Sequence, residues 1–159
     1  MKKTSILIYS LLFAASTFAY SPRNIDEKLV HTFQTSFPHA EKVSWEEMPN
    51  QYVVSFVDNG ILSRVTYQKK GSDITSYVRY YLEENLPFSI RSEVKRHYPN
   101  KKVQGVVEVS APLPADDEDA AAVLTTVYYI RLEGAGTLIN IRMSSDGNSE
   151  VVEKFKKAN

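Results

Sequence analysis

The run Tyr52-Val53-Val54-Ser55-Phe56-Val57-Asp58-Asn59-Gly60-Ile61-Leu62-Ser63-Arg64-Val65-Thr66-Tyr67 decides the fold. Two β-rich segments flank Asn59-Gly60, the pair that most favours a two-residue type I′ hairpin. In such a hairpin Asp58 and Ile61 face each other and point the same way, which fixes the register. Tyr52, Val54 and Phe56 then share a face with Ile61, Ser63, Val65 and Tyr67, and the intervening residues take the other.

Working outward, Val43 and Trp45 alternate with Lys42, Ser44 and Glu46 to give a strand before the Met48-Pro49-Asn50 turn. Upstream, Asn24 is placed to cap a helix with Glu27 as its capping-box partner. Ile25, Leu29, Phe33 and Phe37 follow at spacing four, and Pro38 ends the helix. Downstream, Lys69-Lys70-Gly71-Ser72 turns into a fourth strand from Ile74 to Tyr81. The second half repeats this order. Leu86-Pro87 opens a helix around Ser89–Tyr98 with Ile90, Val94 and Tyr98 at spacing four, and Pro99 follows Tyr98 as Pro38 follows Phe37. Strands are expected near Val103–Val109, Val123–Leu132, Thr137–Ser144 and Ser149–Phe155, with turns at Gly134-Ala135-Gly136 and Asp146-Gly147. The expected class is α+β: a duplicated helix-plus-four-stranded antiparallel sheet, with halves of about 24–84 and 86–157 and the helices on one sheet face.

Residues 1–19 read as a secretory signal peptide. Lys2 and Lys3 precede an apolar stretch from Ile6 to Ala15, and Thr17-Phe18-Ala19 sets a cut between Ala19 and Tyr20. The expected product, residues 20–159, is one exported domain, periplasmic or secreted, without a membrane span. The full chain has 159 residues, of which 43% are hydrophobic and 24% charged, with no cysteine. That composition excludes a disordered chain, a coiled-coil rod and a disulfide scaffold. Basic and acidic residues both number 19, and losing Lys2 and Lys3 leaves a slight acidic excess, which argues against a nucleic-acid partner.

Catalytic signatures are missing. His31, His39 and His97 stand apart without ligand spacing, and His31 falls off the apolar stripe of the first helix. No nucleophile elbow, phosphate loop or zinc motif occurs, so neither enzyme chemistry, metal nor cofactor is expected. Pro112-Leu113-Pro114 and the acidic run Asp116-Asp117-Glu118-Asp119 form a loop. Its acids are candidates for a cation, though they lack the alternate spacing and glycine of an ion-wrapping loop, and a solvated loop is the plainer reading. Asp146-Gly147-Asn148 reads as turn chemistry.

What remains is the sheet face away from the helices. Strict alternation places Val53, Ser55, Val57, Arg64, Thr66, Tyr77, Arg79 and Tyr81 there in the first half, and Tyr129, Arg131, Asn140 and Arg142 in the second. Tyrosine and arginine are enriched where proteins recognise proteins, which makes Arg64, Tyr77, Arg79, Tyr81, Tyr129, Arg131 and Arg142 the candidate partner-binding set. The same pattern suits a merely solvated sheet, because tyrosine forms strands well and arginine stems shield it. The sheet edge is a second candidate, by strand addition.

Phe37-Pro38, Val43-Ser44-Trp45-Glu46, the strand Tyr52–Phe56 and Leu86-Pro87 before a helix ending at Tyr98-Pro99 resemble the PepSY-like family of exported bacterial proteins, the β-lactamase-inhibitor-like group. The resemblance spans about Ile25 to Lys157. It implies a duplicated periplasmic domain, each half a helix on an antiparallel sheet, and by analogy of fold a role in inhibition. The chain departs from the family at Lys70-Gly71, where Asp-Gly is usual, and in its acidic insertion. The expected function is a non-enzymatic protein-binding module for an unidentified periplasmic or secreted protein, in one form an inhibitor or modulator of an exported enzyme. The alternative is an envelope protein that binds a small ligand or a cation.

Overall fold

Asn59 and Gly60 take φ angles of 50° and 79°, the left-handed pair that a type I′ turn requires. Asp58 pairs with Ile61, Val54 with Val65 and Tyr52 with Tyr67, so the hairpin has the register its turn dictates. This hairpin joins β2 (Gln51–Asp58) to β3 (Ile61–Gln68) in a computed structural model that describes residues 25–70, 73–112 and 124–156. Residues 1–24, which include the expected signal peptide and Asn24, lie outside the described residues, as do Gly71-Ser72, residues 113–123 with the acidic run, and residues 157–159.

The elements run α1 (Glu27–Ser36), β1 (Ala40–Glu47), β2, β3, β4 (Ile74–Tyr81), a single 3-10 turn at Glu83–Asn85, α2 (Phe88–His97), β5 (Lys102–Pro112), β6 (Leu124–Gly134), β7 (Thr137–Ser144) and β8 (Ser149–Lys156). The strands do not form two sheets of four. They form one eight-stranded antiparallel sheet in sequential order, closed across the middle by β4 and β5 from Tyr77↔Ser110 to Tyr81↔Val106.

Both helices cover the same face. Leu29 and Phe33 of α1 pack with Trp45, Val54, Phe56, Val65 and Tyr67. Phe33 is the hub, with ring centroids 5.0 Å from Phe56, 5.3 Å from Phe37 and 5.4 Å from Trp45. Ile90 and Val94 of α2 pack with Val103, Val106, Tyr128, Ile130, Leu132, Ile139, Ile141 and Met143. The N-cap of α1 is Asp26 rather than Asn24: its carboxylate accepts from the Lys28 N–H at 2.9 Å, so the helix begins at Glu27. Ile25 and Val30 flank the cap and both rest on the core, as in a hydrophobic staple. Phe37 and Tyr98 close the two helices by donating to Phe33 and Val94 carbonyls, each at 2.9 Å, and the following prolines prevent another turn.

One register shift corrects the expected surface. Tyr67 pairs with Ile74 but Thr66 pairs with Ser76, so Thr75 is an extra residue, a β-bulge in β4. Every residue beyond it changes face. Tyr77, Arg79 and Tyr81 pair with Val65, Ser63 and Val106 on the helix-covered side, not with the open side as alternation predicts. Tyr77 lies 5.4 Å from Phe37 and stacks on Phe56, and Tyr81 is only 8% exposed. Tyr80 takes the open place instead, between Leu62 and Val107.

Deleting Thr75 therefore turns the aromatic side of β4 to water and its exposed side into the core. We expect the deletion to abolish cooperative thermal unfolding, while Thr75→Ser changes stability by less than about 1 kcal/mol. Calorimetry on the two proteins reads the difference directly.

Candidate functional site

The two faces of β4 and β5 differ in chemistry. On the helix side, in the seam between the two cores, Tyr81 donates from its hydroxyl to Glu108 Oε2 at 2.5 Å. Arg79 Nη1 lies 3.7 Å from Glu108 Oε1, with its guanidinium carbon 5.5 Å from the Tyr81 ring centroid. Burial, reinforced by Glu108, pushes the Tyr81 hydroxyl far above its ordinary range, and burial likewise raises Tyr128. Ser110 and Thr126 hydroxyls lie 2.8 Å apart beside this group. These contacts tie the halves together. The Tyr67 hydroxyl is fully buried and has no hydrogen-bond partner among the described residues, and burial pushes it up to about 12.

On the open side, β3 to β8 present a continuous cross-strand row: Leu62, Tyr80, Val107, Tyr129, Arg142 and Glu150. Beside it runs a second row of Gly105, Arg131, Asn140 and Glu153. Leu62, Tyr80, Leu82, Val107, Tyr129 and Val152 line a groove of about 780 Å3 between and around these rows. Leu62 is 51% exposed and Tyr129 44%, so its apolar walls are wet. Its polar end is internally bonded: Arg131 Nε donates to Asn140 Oδ1 at 3.1 Å, and Asn140 Nδ2 to Glu153 Oε2 at 2.8 Å. Arg142 pairs with Glu150 at 3.3 Å.

Of the sequence-derived candidates, the structure thus gathers Tyr129, Arg131 and Arg142 on the open face. Arg64 shares that face in the first half, its Nε 3.4 Å from Ser55 Oγ. Tyr77, Arg79 and Tyr81 belong to the core and the seam. Leu62, Tyr80, Gly105 and Val107 were missed. Leu62 was within reach, since the hairpin register alone sets it opposite Val57 on the open side; Tyr80 was not, because only the bulge puts it there.

Strand addition at an edge is disfavoured. Both edge strands carry a bulge, around Lys42 in β1 and at Val152 in β8, and both are rich in charges, the usual means of blocking edge pairing. A smaller cavity of about 360 Å3 between α1 and β1 has no charged lining residue. Among the described residues no group of three or more His, Asp or Glu could hold a metal, and no helix is long and apolar enough to cross a membrane.

The architecture has counterparts among solved structures. A BLIP-like protein from Bacteroides fragilis superposes with a TM-score of 0.57 at 17% identity, over 86% of this chain and 89% of that one. The fold is BLIP-like. A DUF2874 family protein from Bacteroides uniformis matches at 0.56 and 16% identity, over 84% of this chain and 90% of its own. A protein from Bacteroides eggerthii, provisionally described as periplasmic, matches at 0.55 and 16% identity, covering 84% and 89%. No protein-family model and no curated protein matches the sequence. At these identities the likeness describes the BLIP-like fold alone.

Two buried tyrosines give tests of this placement. Tyr81→Phe leaves Glu108 without its hydroxyl donor in a buried site and should cost about 1–3 kcal/mol in chemical denaturation. Tyr67→Phe removes an unpartnered hydroxyl and should leave neutral stability unchanged or higher. Between pH 10 and about 12 the folded chain keeps Tyr67 protonated and the unfolded chain does not, so stability falls as pH rises through that window. Melting temperatures and tyrosinate absorbance measured together should show a shallower alkaline decline in Tyr67→Phe.

Proposed function

We propose that this chain is an exported, non-enzymatic protein-binding module that receives its partner on the open face of the sheet. The observation that carries the reading is the groove across that face, apolar at its centre and rimmed by paired charges. Exposed apolar patches ringed by polar groups are characteristic of protein interaction sites. The partner-facing set is then Leu62, Tyr80, Val107 and Tyr129, with Arg64, Arg131 and Arg142 around them. The signal-like residues 1–19, cut between Ala19 and Tyr20, and the neighbour described as periplasmic support a place in the periplasm or outside the cell. The repeated helix-then-four-strands order and the Phe37-Pro38 and Tyr98-Pro99 helix ends support PepSY-like membership and descent by duplication. The BLIP-like neighbour makes inhibition or modulation of an exported enzyme the form of binding we favour.

A second reading, an envelope protein for a small ligand, is supported by the volume of the groove, which lies inside the range of about 300–1,000 Å3 usual for such sites.

The test is capture from an envelope extract on residues 20–159, beside a Leu62→Asp/Tyr129→Ala version with unchanged circular dichroism. One envelope protein should be held by the first and lost from the second. With that partner purified, Tyr129→Ala alone should weaken binding by about 1–2 kcal/mol, roughly 5–30-fold in Kd. Identical captures on both baits would remove this face from consideration.

A further inference from the structure

Gly105 stands inside β5 without any backbone need for glycine. Its φ is not left-handed, unlike those of Gly60, Gly136 and Gly147, and the bulge beside it at Gln104 therefore makes no demand for it. Nor does packing require it: a Cβ built on Gly105 meets no atom within 4 Å. Glycine in a strand interior weakens the strand and commonly marks a place where a ligand or another chain comes close. Here the missing side chain points to the open face, paired with Arg131, and forms part of the groove lining with Leu62, Tyr80, Leu82 and Tyr129.

We infer that the space above Gly105 is a socket for one large apolar side chain, aromatic or branched aliphatic, carried on an exposed loop of the partner protein. The inference rests on the open-face reading above and gives that partner its chemistry. Charge selects the occupant. Arg131, Asn140 and Glu153 are bonded to one another, and Arg142 to Glu150, so the rim compensates itself and favours an uncharged insert. Exposure selects its carrier. With Leu62, Leu82 and Val152 each more than half exposed, a free small molecule would keep much of its surface in water, whereas bound small ligands are mostly enclosed. A side chain held on a partner's backbone brings its own cover, and the paired charges then form the hydrated ring around an anchor.

The probe is a phage library of disulfide-closed random loops, panned on residues 20–159. Selected loops should share one large apolar residue, and its change to alanine should weaken binding at least 10-fold. Gly105→Phe fills the socket from below, and Gly105→Val does so with less bulk. Both should fold with an unchanged or higher melting temperature and bind the loops at least 10-fold more weakly. Loops that bind the Gly105 variants as well as the parent, loops with no apolar residue in common, or no selected loop at all would overturn the inference. So would a small molecule that copurifies with the parent, seen by native mass spectrometry, and is lost from Gly105→Phe. If Leu62→Asp/Tyr129→Ala still abolishes capture while the Gly105 variants bind the same partner normally, the face binds and only the socket falls.

Discussion

A β-strand offers alternate residues to its two faces, so a single inserted residue exchanges the faces of everything beyond it. In this chain Thr75 is that residue. Before it, Ile74 follows the parity set by the Asn59-Gly60 turn. After it, Tyr77 enters the aromatic core beside Phe37 and Phe56, Arg79 and Tyr81 reach the seam, and Tyr80 moves to the open side. The parity is then handed on through β4↔β5 to the rest of the sheet. Without the bulge, the apolar set Val106, Ile130 and Ile141 would have to register against the wrong side of β4. One unpaired backbone step thus keeps both helices on the same face.

The seam shows what joining the two cores requires. β4 and β5 pair from Tyr77↔Ser110 to Tyr81↔Val106, and on their helix side the charged pair Arg79 and Glu108 adjoins Tyr81 and Tyr128 of the second core cluster. Ionised groups are costly to bury unless each is held by partners. Glu108 is held from two sides, by the Tyr81 hydroxyl and by Arg79, whose side chain keeps 32% of its surface exposed. The seam therefore reads as a structural weld, and the exposed apolar row is on the other side of the same strands.

Much of the fold was legible in the residues because its signals are local. The type I′ turn fixed the first hairpin, the spacing-four stripes gave both helices, and the prolines at 38 and 99 placed their ends. Strand bounds at Ile74–Tyr81 and Thr137–Ser144 agree residue for residue. What escaped was non-local. A bulge has no obligatory residue, and Thr75 is an ordinary strand former, so nothing in the sequence says where parity breaks. That single break misplaced Tyr77, Arg79 and Tyr81, while Tyr129, Arg131 and Arg142, with no break between them, were assigned to the open face correctly. The choice between one sheet and two depended on the β4↔β5 pairing, which joins residues about thirty apart and carries no turn signature of its own.

The same geometry distinguishes the middle of the open face from the edges of the sheet. Edge strands expose unpaired backbone, and this chain deforms both of its edges with bulges and charges, which hinders pairing between copies. The central strands pair on both sides over Tyr77–Tyr80 of β4 and Val106–Ser110 of β5, and there the surface is made of side chains. There the chain places aliphatic and tyrosine side chains on four successive strands, in the direct cross-strand row from Leu62 to Tyr129, where neighbouring side chains are about 5 Å apart and support one another. Rows of this kind are rigid because every member is fixed by a paired strand on each side. A surface that is apolar and already ordered would lose little conformational entropy on binding, and the Arg142–Glu150 pair keeps its far end hydrated.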